Sequence, residues 1–400
     1  MSTSAIHAMS KNTDSSSKRD LTVLSPGERT APFGVSVIVC CHNSASRLPA
    51  TLTHLAGQRC EGRFAWEVIL VDNASSDGTA RFARELWPHD TPASLRVVHE
   101  ARLGLAYARR RGVSEANYEF LSFVDDDNWV CPNWVQLVWE LMMQHPEVGA
   151  CGGFCVAKCE LPPPSWFKSF SEMYAVGPRE PKPGDVTRTR ALWGAGLTLR
   201  KSALSELEQN GFRPWLVGRK ATTLAGGDDA EMCYALRLAG WRLWYEPRLR
   251  LRHFLPAKRL EWGYLRRLAR GSGLSTPAHD AYFCAMKPKR TGLSRVLRKI
   301  RETWSWQLLS ILGKLGSQPF LLVCSFRSPM EGNADVLRLE QQIGRLLGLL
   351  EMRRPYSERI REIRSLFQQP RWSRRNPRPG SVELSFVHEG VSKAWMNRLL

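Results

Sequence analysis

The stretch FVDDDNW, Phe123 to Trp129, sets Asp125, Asp126 and Asp127 side by side at the exit of a hydrophobic run. Neighbouring carboxylates oppose one another's ionisation, so water or a cation has to compensate them. Residues two apart in an extended chain project to the same side, which lets Asp125 and Asp127 address one divalent ion while Asp126 turns away. Mg²⁺ and Mn²⁺ suit such oxygens, and a site with one or two carboxylates completes its shell with phosphate and water. A solvated acidic turn is the plain alternative. A second cluster, GGDDAEM, puts Asp228 and Asp229 at the apparent start of a helix. Capping and the helix dipole account for one acid there. Two glycines before two acids exceed that need: they let backbone approach a ligand and leave a carboxylate for proton transfer. His253, in RLRHFLP, follows strand-like sequence and either offers an imidazole nitrogen to a metal or serves the fold.

The elements that must position these groups alternate. GVSVIVCC (Gly34 to Cys41) is a β-branched run ending in a polar HNS, and ASRLPATLTHLAGQ has helical apolar spacing. WEVILVDNASSDGT supplies a second strand ending at Val71, ARFARELWP a helix closed by Pro88, and SLRVVHE a third strand. LGLAYARRRGVSEA is helical and EFLSFVDDD a fourth strand. Hydrophobic strands alternating with helices predict an α/β unit with a parallel sheet, whose ligands collect beyond the carboxyl ends of the strands. CCHN, VDNAS and VDDDN all fall there. After Cys151 the pattern loosens, with WGAGLTLRKSALSEL (strand, then helix), AGGDDAEMCYALRLAGW (loop, then helix) and RLWYEPRLRLRHF (strand-like) still legible. Beyond Leu255 helices are expected, among them ADVLRLEQQIGRLLGLLEMRR.

A chain of 400 residues with 43% hydrophobic content can bury a large core, and two domains are natural. Residues 1–33 are rich in Ser, Thr and charge, so a disordered tail is expected, neither secretory signal nor membrane anchor. Ten cysteines then read as reduced cytoplasmic thiols. CGGFCVAKC lacks a Cys-x-x-Cys pair and a nearby His, so Cys151, Cys155 and Cys159 read as small core residues. From Phe254 onward 27 Lys and Arg stand against 11 Asp and Glu, leaving +16 of the total +19 in the C-terminal part. That basicity attracts polyanions. Its interleaving with Trp and Leu, with no aromatic stacking platform, makes nucleic acid the weaker partner and an anionic membrane surface the better one. WSWQLLSILGKLGSQPFLLVCSF is interrupted by Lys314, Gln318 and Pro319 before it could span a bilayer. It would lie on a membrane surface or pack into a core. Gly-x-Gly-x-x-Gly, P-loop, Gly-x-Ser-x-Gly and His-Glu-x-x-His motifs are all missing, and CCHNSAS lacks a nucleotidyltransferase phosphate loop.

Taken in order, VSVIVCCHNSASRLPATL, VDNASSDGT, LGLAYARRRG, FVDDDNW, WGAGLTLR and GGDDAEMCYALRLAGW resemble a family 2 glycosyltransferase of the GT-A fold, over about residues 34–255. With RLWYEPRLRLRHF they most resemble bacterial enzymes that build surface polysaccharides. The resemblance implies a GT-A-type nucleotide-sugar-binding sheet flanked by helices at 34–255, followed by a basic, mainly helical region at 256–400. It implies an inverting, metal-dependent transfer from a nucleotide-diphosphate sugar to a glycan or lipid-linked acceptor, on the inner face of the cell membrane or in the cytoplasm. Cys40, His42, Asn43, Asp72 and Asn73 would hold base and ribose, with Arg109 and Asp126 also on the donor. Asp125 and Asp127 would be the Asp-x-Asp pair, joined by His253 on a Mg or Mn ion. Trp193, Gly194 and Ala195 would lie by sugar and acceptor. Asp229 would be the base, with Asp228 as the other candidate because it replaces the usual Glu. Asp72-Asn73 in place of two acids leaves uridine and thymidine donors open and adds a rhamnosyl donor. Arg110 stands where relatives carry Asn. A basic nucleic-acid- or membrane-binding protein without catalysis is the alternative.

Overall fold

The β-branched run after Phe33 does become a strand, and it sits at the centre of the sheet. In the computed structural model, which describes residues 32–61, 64–216, 218, 224–287, 291–319, 330–353 and 355–367, β1 (Gly34–Cys41) is flanked by β2 (Ala65–Asn73) and later by β4 (Phe120–Phe123). β3 (Leu95–Glu100) extends the row beyond β2, and all these pairings are parallel. The connections are α1 (Leu48–Ala56), α2 (Thr79–Leu86) and α3 (Leu105–Glu115). Pro49 opens α1, where a missing N–H costs nothing. Gly112 lets α3 lie directly on the sheet, since a Cβ there would overlap Ile38.

The parallel expectation holds for these four strands and then gives way to a mixed sheet. β5 (Asn128–Val130) follows the acidic triplet, then α4 (Trp134–Gln144) and β6 (Val148–Cys159). The short helix α5 (Phe167–Phe170) precedes β7 (Gly184–Asp185), β8 (Thr198–Arg200), α6 (Lys201–Gln209), α7 (Asp228–Leu238) and β9 (Arg242–Leu255). The strand order is β3-β2-β1-β4-β8-β6-β9-β5, with β7 beside β9. β8 runs antiparallel to both β4 and β6, whereas β6 and β9 are parallel. The expected loosening after Cys151 is corrected: CGGFCVAKC is the body of a 12-residue strand. Its glycines obscure the strand signal but are required by packing. A Cβ on Gly149 would stand 2.8 Å from Trp241, and one on Gly153 would overlap the Leu249 carbonyl.

The sheet buries apolar side chains on both faces, and the C-terminal helices belong to those same cores. α8 (Trp262–Met286) contributes Trp262, Leu265 and Leu268 to one cluster and Ala281, Tyr282 and Cys284 to the other. α9 (Gly292–Arg301) and α10 (Trp304–Gly316) follow, then α11 (Ala334–Glu351) and α12 (Tyr356–Phe367). α8 and α11 touch backbone to backbone: Cβ atoms on Gly273, Gly344 or Gly348 would overlap carbonyls of the opposite helix. Glu340 is buried in this contact between Arg266 (2.9 Å) and Arg270 (2.7 Å). The tail expected at the N-terminus lies outside the described residues, apart from Pro32 and Phe33, and so do residues 368–400.

Candidate active site

The polar residues ending β1 and β2 form one rim of the site. His42 Nδ1–H donates to the Asn73 carbonyl at 2.8 Å, and Asn43 Oδ1 accepts from the Ser76 amide at 2.9 Å. Asn43 (φ 48°) and Ala74 (φ 53°) both take left-handed backbone, an arrangement that costs an L residue energy and concentrates at functional loops. Asp72 is buried, with His99 Nδ1 3.5 Å from one oxygen and no hydrogen-bond partner on the other. An unsatisfied buried acceptor is expensive, so Asp72 retains capacity for a donor group. Asn73, expected to hold base and ribose, is engaged with backbone. Its amide donates to the Glu100 (3.0 Å) and Arg102 (2.7 Å) carbonyls and accepts from Gly104 N (2.8 Å), so it ties the entry of α3 to the sheet.

The acidic triplet is also only partly as expected. β4 ends at Phe123, and Asp126 and Asp127 lie in a turn closed by Asn128 N donating to Asp125 O at 3.0 Å. Three separate sets of partners pull the carboxylates apart. Asp126, expected on the donor, accepts from Arg47 at 2.7 Å and from Ser44 Oγ, and pins the turn to α1. Asp125 accepts from Asn128 Nδ2 at 3.2 Å and lies in the field of Arg109. Burial first, then the charge of Asp127, push Asp125 up to about 6.

Asp127 is held at the other side. Register between β5 and β9 pairs Asn128 with His253, which sets Asp127 beside that imidazole. His253 Nδ1–H donates to the Tyr174 carbonyl at 3.0 Å, and its Nε2 stands 3.7 Å from Asp127 Oδ1. Arg259 donates to Asp127 Oδ2 (2.9 Å), and the same guanidinium nitrogen lies 3.2 Å from His253 Nε2. Burial works to raise Asp127, but His253 and Arg259 outweigh it and hold the carboxyl well below the usual range. A guanidinium thus already sits where carboxylate oxygen and imidazole nitrogen converge. That donor pair suits a divalent ion completed by phosphate oxygens. Among the described residues, no three His, Cys, Asp or Glu side chains form a ready-made metal cage.

The second acidic cluster meets the first around Arg109. Asp228 and Asp229 open α7 after Gly227, whose left-handed φ of 98° suits glycine. Asp228 is ion-paired with Arg109. Asp229 accepts from Gly194 N at 2.6 Å and from Ala230 N at 2.8 Å, and a Cβ on Gly194 would stand 3.1 Å from its carboxylate. Burial and then Asp228 raise Asp229 above an ordinary carboxylate, against the pull of Arg109. Burial lowers Arg109, but Asp228, Asp125 and Asp229 more than reverse that. Trp193, half-buried, stacks under Arg179 at 4.8 Å, and Ala195 is also half-buried on this loop. Cys40 sits between Arg109 and the triplet with its thiol pushed up to about 12, chiefly by burial.

Sequence reasoning missed the residues that hold the GGDD loop from behind. On α8, Ser275 Oγ donates to the Gly226 carbonyl and His279 Nε2–H to that of Gly227 at 2.9 Å. Both lie on one helical face four residues apart, a spacing visible in the sequence with no partner to give it meaning. One turn into α7, buried Glu231 accepts from Trp215 N (2.9 Å), Leu216 N (2.7 Å), Tyr282 OH (2.6 Å) and Arg359 (3.2 Å).

Residues 36–207 match the family model described as glycosyl transferase family 2. The succinoglycan biosynthesis protein ExoM of Rhizobium meliloti (strain 1021) is 23% identical over 345 residues, 83% of this chain and 97% of that protein. EpsH of Bacillus subtilis (strain 168) is 28% identical over 102 residues, 26% of this chain. The chain spans only 28% of the length of EpsH. Among solved structures, a mannosyltransferase of Pyrobaculum calidifontis in complex with GDP-Man and Mn²⁺ is 16% identical with a TM-score of 0.48, covering 81% of this chain and 89% of that one. The fold is the GT-A-type α/β sheet flanked by helices, with a helical C-terminal region, as the resemblance implied.

Proposed function

Because the chain carries a family 2 glycosyltransferase domain at residues 36–207, we propose that it transfers a sugar from a nucleotide-diphosphate donor to an acceptor hydroxyl with inversion, in polysaccharide biosynthesis. The observation that carries this reading is the meeting of two acidic clusters about a hundred residues apart in sequence around Arg109, with one acid neutralised and the next left as a proton acceptor. Asp72, with its unsatisfied oxygen, would accept from the imide N–H of a uracil or thymine, and the rim at His42 would meet the ribose. Asp125 would accept from ribose hydroxyls. Asp127 and His253 would hold Mg²⁺ or Mn²⁺ together with the diphosphate, Arg259 giving way or sharing the charge. The ion, when bound, offsets the negative charge of the departing diphosphate.

Asp229 is the base in this reading. The Gly194 and Ala230 amides orient its carboxylate, and burial makes it more basic than a solvated one. It takes the proton of the acceptor hydroxyl as that oxygen bonds to the anomeric carbon. The carbon–oxygen bond to phosphate breaks in the same displacement, and the nucleoside diphosphate leaves with the electron pair. One base and no enzymic nucleophile suffice, so configuration inverts. Asp228, bound to Arg109, is the weaker candidate. The acceptor is a glycan or lipid-linked hydroxyl near Trp193, which would bring the chain to the cytoplasmic face of a membrane. The test is hydrolysis of a panel of uridine and thymidine diphosphate sugars, rhamnosyl included, with Mn²⁺, Mg²⁺ or chelator. Turnover of one donor with metal and none with chelator is expected. No turnover of any donor by folded protein contradicts the reading.

A further inference from the structure

Surface helices of a globular protein normally turn their apolar stripe inward. α9 is mounted the other way round. Leu293, Val296, Leu297 and Ile300 fall on one face by their spacing and are 73%, 53%, 45% and 45% exposed, and no residue of this helix is buried. The side that anchors it is polar: Arg298 donates to Glu302 at 2.7 Å and to the Cys284 carbonyl at 2.8 Å. α10 continues the surface with Trp306, Leu309 and Leu312, 43%, 65% and 46% exposed, while Ile311 on its other side is buried.

Charge accompanies this apolar face. Between Gly292 and Gly316 the sequence carries Arg295, Arg298, Lys299, Arg301 and Lys314 against a single acid. That acid, Glu302, is turned inward and paired with both Arg298 and Arg364 (2.9 Å). Arg295, Lys299 and Arg301 remain exposed beside the apolar stripe. An outward apolar face bordered by Lys and Arg, with a Trp on the adjoining helix, matches the chemistry of a headgroup–acyl boundary rich in anionic lipid. No helix among the described residues is long and apolar enough to cross a membrane, so the contact is on the surface.

We propose that α9 and α10 form a docking face that lays the protein on an anionic lipid bilayer. This goes beyond the catalytic reading and stands without it, since its test reads binding rather than transfer. The full chain is sedimented with phosphatidylcholine vesicles and with vesicles containing phosphatidylglycerol, at low salt and at about 0.5 M NaCl. Leu293→Glu/Leu297→Glu and Arg295→Glu/Lys299→Glu are the variants, each checked by circular dichroism and by its oligomeric state in light scattering. The wild type should pellet with the anionic vesicles only, and salt should weaken it. The apolar variant should lose at least about tenfold in partition while staying folded. Because basic sequence elsewhere also attracts vesicles, the variant comparison decides: equal pelleting of wild type and Leu293→Glu/Leu297→Glu overturns the proposal. So does a wild type that ignores anionic vesicles, including one that forms a dimer the variant breaks, where a second copy covers the face.

Discussion

At the scale of single residues, the site holds negative charge that the free fold does not favour. Asp125 is pushed up to about 6, by burial and then by Asp127. For a carboxylate raised above its ordinary value, the folded state keeps the proton longer than the unfolded chain. Its stabilising contribution is therefore complete below the ordinary carboxylate range and is lost as pH rises through about 6. Asp125→Asn should raise the Tm of the free protein at pH 7.5, with a gain that shrinks as pH falls below about 6, while weakening donor binding. Melting curves at three pH values check this; an unchanged or lower Tm at pH 7.5 contradicts it. Asp229→Asn should lower kcat by about 10²–10⁴-fold, the usual weight of a general base. Asp228→Asn should act instead through loss of its pairing with Arg109, weakening the donor complex more than the proton transfer.

At the scale of elements, the sequence made legible what repeats and hid what is supported from a distance. Strands β1, β2 and β3 and helices α1 to α3 follow from period and turn chemistry, most plainly β1, β2 and α1, which bury their own apolar sets. β6 was not legible, since glycines required by Trp241 and Leu249 interrupt its pattern. Asp125, Asp127, Asp229 and His253 stand out in the sequence by type and spacing. The loop-holding contacts of Asp126 and Asn73 were not legible, because carboxylates and amides that hold loops together look the same in sequence as those that hold ligands. Arg259, Ser275 and His279 gave no signal, as their partners lie at least a hundred residues away or on bare carbonyls, save His253 close by. The α8 clamp on the GGDD loop carries its own prediction. Ser275→Ala/His279→Ala should leave donor affinity near that of wild type and reduce kcat by about tenfold or more, as small displacements of a base do. A fall in donor affinity with kcat preserved would contradict the clamp.

At the scale of the whole molecule, the basic helical region is part of the body that holds the acidic clusters as well as a surface. Glu231, two residues after Asp229, depends on Tyr282 of α8 and Arg359 of α12 for hydrogen bonds, and it is fully buried. Removing one partner of such a pair strands a charge, at a cost of about 3–5 kcal/mol. Arg359→Met should therefore lower Tm sharply, more than any substitution on the exposed face of α9. A chain ending at Leu255 should fail to give a soluble, cooperatively melting protein, because Leu265, Leu268 and Tyr282 complete the cores around the sheet. A well-folded fragment would show that these helices are an appendage.

In the proposed division of labour, one acidic cluster binds the donor and the other moves the proton. The direct measurement is calorimetric titration of the turned-over nucleotide sugar into wild type, Asp127→Asn and Asp229→Asn, with Mn²⁺ and with chelator, beside turnover of the same samples. Asp229→Asn is predicted to bind the donor as wild type does, only with metal, and to turn it over hardly at all. Asp127→Asn is predicted to lose metal-dependent binding altogether. Normal metal-dependent binding by Asp127→Asn, or loss of binding in both variants, would contradict the division of labour between the two clusters.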